Sequence, residues 1–179
     1  DEAGDRTSAP NSRKVKNMEG KRKIICPGMN ILWGLPCCPA CVPRTRIHEV
    51  GCCIVSQDNK ILSMGYNGLP NGCSDDEYPW AREGEDPLET KYVYAVHSEL
   101  NAILNYGGGS LKGAKIYVSL FPCNECAKAI IQAGIKEVIY DSDKYEDTSS
   151  VIASKRMMDS AGVRYYQYHR TDREVTIKL

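Results

Sequence analysis

The chain has 179 residues, with 23 basic and 23 acidic side chains, nine cysteines and a single phenylalanine. That length suits one domain with a real core and is short for two, while balanced charge argues against a general nucleic-acid or membrane-surface binder. No apolar run approaches the ~18 residues of a membrane span, the polar N-terminus is unlike a signal peptide, and an odd, high cysteine count suits a reducing compartment in which some thiols bind metal.

Residues 1–23 are polar, rich in Ser, Asn, Gly and Lys/Arg, and read as a disordered tail; Lys21-Arg22-Lys23 reads as solvated charge rather than as an address. Residues 24–48 form an irregular segment rich in Pro and Cys, because Pro27, Pro36, Pro39 and Pro43 forbid any long helix. A folded domain is expected over 49–179. Val50 to Val55 reads as a buried strand, Asp58-Asn59 as a turn and Lys60 to Tyr66 as the second strand of a hairpin. Residues 67–89 are a long, acidic loop, of a length that usually signals function or mobility. Val96 to Asn105 carries apolar residues at helical spacing and stops at Gly107-Gly108-Gly109. Lys115 to Leu120 then reads as a strand, Cys123 to Ala133 as a helix closed by Gly134, and Ile135 to Tyr140 as a strand. Ser149 to Ser160 reads as a helix closed by Gly162, before a last strand over Val163 to Tyr168. The order β-β-α-β-α-β-α-β predicts an α/β fold in which helices cover a mixed five-stranded sheet, with parallel pairs joined by right-handed crossovers.

The chemistry lies in two short motifs, each at a strand–helix junction. His97-Ser98-Glu99 opens one helix, and Pro122-Cys123-Asn124-Glu125-Cys126 opens the next. Two cysteines three apart on a first helical turn project to one side, where the helix N-terminus favours thiolates. With His97 they offer three ligands, and three protein ligands plus one open position describe a catalytic zinc site that acidifies a bound water. Glu99 is placed to move protons beside the metal. Singly, His-x-Glu means nothing, and Cys-x-x-Cys is a redox pair or half a structural zinc site. Together and in this order they match the signature of zinc nucleobase deaminases, which attack the ring carbon that bears the amino group.

A narrower resemblance rests on Gly65-Tyr66-Asn67-Gly68-Leu69-Pro70-Asn71-Gly72-Cys73-Ser74-Asp75-Asp76, on Lys91-Tyr92 through Asn101, on Leu120 through Lys128, and on Ser142-Asp143-Lys144-Tyr145. From about Val50 onward these stretches closely resemble deoxycytidylate (dCMP) deaminases of the animal type. The resemblance implies a three-layer α/β/α cytidine-deaminase-like fold, hydrolysis of dCMP to dUMP and ammonia, and supply of dUMP for thymidylate synthesis. It implies a cytoplasmic homo-oligomer, usually a hexamer, activated by dCTP and inhibited by dTTP at a separate site that uses Mg2+. By position, Asn67 would bond the sugar, the Ser98 amide would hold the pyrimidine, and Tyr145 would stack near the base or approach the phosphate. Gly68, Leu69, Pro70, Asn71 and Gly72 would line the regulatory site. Without the resemblance, Asn67-Gly68 is a simple turn and Tyr145 a surface aromatic.

The departure lies before Val50, where the family has an amphipathic first helix and this chain has its proline-rich segment. Cys38-Pro39-Ala40-Cys41 within it is a second Cys-x-x-Cys; with Cys26 or Cys37 and His48 it would form a structural zinc site, against the plainer reading of four unpaired thiols. Two competing functions stay open at this level. One is deamination of another nucleoside or nucleobase, and the other is a zinc-bound, inactive regulatory subunit.

Overall fold

The computed structural model describes residues 51–169. The expectations for residues 1–50, including the tail, the proline-rich segment and Cys38 and Cys41, lie outside the described residues.

Five strands form one sheet in the order β2-β1-β3-β4-β5. β1 (Gly51–Val55) and β2 (Ile61–Tyr66) make the expected hairpin. Its turn closes with Asn59 at φ 62°, a left-handed conformation that Asn tolerates, and Ser56 donates to Lys60 O at 2.8 Å. β1 also runs antiparallel to β3 (Lys115–Leu120), so β2 and β3 point the same way. β3, β4 (Glu137–Ser142) and β5 (Arg164–Gln167) are parallel neighbours joined by α2 (Asn124–Gln132) and α3 (Ser149–Ala161). The crossover from β2 to β3 carries α1 (Ser98–Leu104). This is the mixed five-stranded sheet of the cytidine-deaminase-like fold, with its three described helices in one layer.

The core follows from the period of two along the strands. Cys52 and Ile54 of β1, Ile116 and Val118 of β3 and Val138 of β4 lie in one buried cluster with Ala102, Ala127, Ile130, Val151 and Met158 from the helices. The intervening residues Cys53, Tyr117, Ile139 and Tyr166 share register positions on the other face. Phe121 follows β3 and packs edge-on against Tyr140 and Tyr165, with ring centres 4.9 and 5.5 Å away. The chain's single phenylalanine therefore pins the stretch that leads into Pro122-Cys123. α3 begins at Thr148, whose Oγ1 accepts from the Val151 amide, and ends at Gly162 with φ 64°.

Some boundaries differ from the sequence reading. α1 starts at Ser98 rather than Val96, because Val96 pairs with Gly68 in an isolated bridge and His97 is an extended cap at φ −68°, ψ 152°. β4 runs from Glu137 rather than Ile135, since Ile135 still bonds back to Ile130 O at the end of α2. The loop after β2 contains short 3-10 turns at Pro87–Glu89 and Lys91–Val93.

α1 lies unusually close to the hairpin. A Cβ at Gly65 would stand 2.0 Å from Ser98 O and 2.7 Å from Ala102 N, both backbone atoms that cannot swing away. Gly65→Ala is therefore expected to cost about 3 kcal/mol or more and to lower Tm by roughly 10 °C, read by thermal unfolding. Retention of the parent Tm would mean that α1 can be displaced freely.

Candidate active site

β2, β3 and β4 point the same way, and the segments leaving their C-terminal ends converge on one cavity. Asn67 follows β2, Phe121 and Cys123 follow β3, and Lys144 and Tyr145 follow β4. All five line a cavity of about 360 Å³, together with His97 and Glu99 from the start of α1. Such crevices at strand C-termini are where open α/β sheets bind ligands, and the volume is ordinary for a small-molecule site.

The two motifs meet there. His97 Nδ1 lies 3.4 Å from Cys123 Sγ and 3.5 Å from Cys126 Sγ, and the potential ligand atoms of all three fall within 4.8 Å of one another. His97 and Cys123 hold the cap positions of α1 and α2, both with extended backbone, which turns their side chains toward the shared mouth. Cys126 is buried one turn further on.

The spacing fits zinc. A tetrahedral centre with Zn–S of ~2.3 Å and Zn–N of ~2.0–2.1 Å separates S from N by about 3.5 Å. The electrostatics fit as well. The hydrogen bond with Cys126, and then that with His97, hold the Cys123 thiol down to about 4. Cys123, as neighbour, and burial drive the Cys126 thiol far up. His97 is raised, first by its bond to Cys123. Two thiolates this close cannot both carry charge without a cation between them, and zinc is the borderline-soft ion that such a donor set selects.

Glu99 is 3% exposed, and burial raises its carboxyl above the usual range. Ser98 Oγ donates to Glu99 Oε2 at 2.8 Å. The Ser98 amide donates to Asn67 Oδ1 at 2.8 Å, so two residues expected to hold substrate here hold each other. Among the described residues Asn67 Nδ2 has no hydrogen-bond partner, and Asn67 lines the cavity. Asn124 and Ser150 link the first turns of α2 and α3, the Asn124 amide donating to Ser150 Oγ at 3.2 Å and Ser150 Oγ donating to Asn124 Oδ1 at 2.8 Å.

Sequence reasoning missed Arg82, Lys91, Tyr92 and Thr148, which line the cavity with Lys144 and Tyr145. Among the described residues neither Arg82 nor Lys91 has an ion-pair partner. Burial, and then the nearby Arg82, push the Lys91 ammonium down from its ordinary value. Lys144 Nζ sits 4.7 Å from the Tyr145 ring centre. The signal available in the sequence was a lone Arg in an acidic loop, which periodicity cannot single out.

Gly68, Leu69, Pro70, Asn71 and Gly72 line a separate cavity of about 450 Å³, with Cys73, Asp75, Asp76 and Trp80. Asn67 borders both cavities.

The family model of the cytidine and deoxycytidylate deaminase zinc-binding region matches residues 37–142. The chain belongs to this deaminase family. It is 56% identical to the deoxycytidylate deaminase of Homo sapiens over 120 residues, 67% of each chain, and the Pongo abelii enzyme gives the same figures. The probable deoxycytidylate deaminase of Drosophila melanogaster is 52% identical over 139 residues, 75% of this deaminase and 68% of that protein. Among solved structures, a dCMP deaminase from the cyanophage S-TIM5, in complex with dCMP and dUMP, superposes with a TM-score of 0.53 at 26% identity. That match covers 69% of this deaminase and 83% of the phage chain. No helix among the described residues is long and apolar enough to cross a membrane.

Cys126→Ser is expected to reduce bound zinc in the purified deaminase to under about a tenth of the wild-type content, since two remaining protein ligands hold the ion poorly. Metal analysis checks this, and wild-type zinc content in the variant would exclude Cys126 as a ligand.

Proposed function

We propose that this deaminase hydrolyses dCMP to dUMP and ammonia, and the observation that carries the reading is one cavity lined both by the metal-binding group and by three cations. His97, Cys123 and Glu99 line it, with Cys126 grouped beside His97 and Cys123, and Arg82, Lys91 and Lys144 line it as well. A pyrimidine beside the metal-binding group and a phosphate monoester beside the cations would suit that lining. Relatives bearing the name deoxycytidylate deaminase support the same substrate.

His97, Cys123 and Cys126 would hold the zinc. When bound, zinc supplies a Lewis acid that brings a water's pKa toward neutrality. Glu99 takes one proton from the attacking water and gives it to the ring nitrogen beside C4, then takes the second from the new C4 hydroxyl and gives it to the departing amine. The new C–O bond forms at C4, the C–N bond breaks and ammonia leaves. A carboxylate whose pKa is raised by burial suits both halves of this traffic, because it accepts a proton readily and releases it again. Asn67 and Tyr145 would orient the nucleoside, and Arg82, Lys91 and Lys144 would neutralise the phosphate. Crowded like charges favour an anion that relieves their repulsion.

The loop cavity at Gly68–Gly72 would take the effectors, dCTP to activate and dTTP to inhibit, with Mg2+ on the nucleotide phosphates. The reading extends to a cytoplasmic homo-oligomer, a hexamer by resemblance, that supplies dUMP for thymidylate synthesis.

Ammonia release from dCMP, dCTP, deoxycytidine and cytidine, measured side by side with and without dCTP and Mg2+, tests the reading. dCMP should be turned over fastest and respond to dCTP; equal turnover of deoxycytidine would remove the phosphate from the specificity. Arg82→Gln should raise KM for dCMP about tenfold while leaving deoxycytidine turnover unchanged. Glu99→Gln should keep its zinc and lose about a thousandfold in kcat, and retained turnover would take Glu99 out of the proton path.

A further inference from the structure

The first turn of α1 contains a buried hydroxyl for which the His-x-Glu spacing provides no role. Ser98 is the residue between, a position the signature leaves open to any side chain. It is wholly buried, and bonds fix it from every side. Its amide donates to Asn67 Oδ1 at 2.8 Å, its carbonyl accepts from the Cys52 thiol at 3.1 Å, and its Oγ donates to Glu99 Oε2 at 2.8 Å. The backbone of Ser98 is thus held by the segment after β2 on one side and by β1 on the other. With the backbone fixed, the hydroxyl is a donor at a defined place rather than a roaming one.

A glutamate carboxylate does not supply that definition alone. Its last torsion is broad and roughly two-fold, so the two oxygens exchange freely unless something engages one of them. A carboxylate out of water also needs donors, and a neutral hydroxyl satisfies one oxygen without adding charge beside the thiols. We propose that Ser98, through its Oγ, is a positioning residue for Glu99, holding Oε2 so that Oε1 serves the cavity that Glu99 lines. The inference rests on the reading of Glu99 as the proton carrier. It makes Ser98 a determinant of turnover and not of substrate affinity, because the hydroxyl acts on a group whose work is done in the transition state.

The experiment is a double-mutant cycle on the zinc-loaded protein, with dCMP as substrate. Ser98→Ala should lower kcat about tenfold or more while KM stays within twofold and zinc content is unchanged. In the Glu99→Gln background the same change should have no further effect. Ser98→Thr, which keeps the donor, should stay within about threefold of wild type. A second readout is independent of turnover. The Glu99 carboxylate stretch, isolated as the infrared difference between wild type and Glu99→Gln, should shift in Ser98→Ala. The inference is overturned if kcat in Ser98→Ala stays within twofold, if its loss persists undiminished in the Glu99→Gln background, if Ser98→Thr loses as much as Ser98→Ala, or if the infrared band does not move. Full turnover by Glu99→Gln would instead bring down the parent reading, and the two failures are told apart by that single variant.

Discussion

The site depends on the backbone contact between the first turn of α1 and the β1–β2 hairpin. No side-chain layer separates them at Gly65. Ser63 Oγ donates to Ala102 O at 2.7 Å and Cys52 Sγ to Ser98 O, so both strands bond directly to the helix backbone. A helix held by its own carbonyls cannot slide or rotate as one resting on long side chains can. His97 caps this helix and Glu99 lies in its first turn, so the contact that seats the helix also sets two of the four chemical groups. The other two arrive by a separate route, through β3 and the Phe121 stack, and meet the first pair across the mouth of the cavity.

Local environment then divides the work. The thiols of Cys123 and Cys126 are pushed in opposite directions by each other, a frustration that a divalent cation relieves. Glu99 is kept close by and dry, where its carboxyl holds a proton more readily than in water. Of the cations that line the cavity, Arg82 and Lys144 are exposed and Lys91 is partly buried.

The parallel direction of β2, β3 and β4 is what gathers these parts. Three segments separated in sequence leave the sheet at the same edge, and each brings different groups to the cavity: Asn67 from the first, Cys123 from the second, Lys144 and Tyr145 from the third. The loop after β2 continues into the second cavity, so Asn67 stands on the wall between them.

Much of this was legible in the sequence. Strand and helix periods, the Asn59 turn and the Gly162 stop are local matters, decided by side-chain alternation and backbone sterics within a few residues. The pairing of His97 and Glu99 with Cys123 and Cys126 was legible too, since each motif carries its chemistry in its spacing. Tertiary structure decided what local rules cannot express. Val96 was withdrawn from α1 by a bridge to Gly68, some thirty residues earlier in the chain. The Ser98 amide went to Asn67, and its hydroxyl to Glu99. Arg82 and Lys91 came to the cavity, because a loop without periodicity takes its place only from what it packs against. The residue types determined which reaction the chain is equipped for; the fold decided which of its polar atoms are spent on holding one another and which stay free for a ligand.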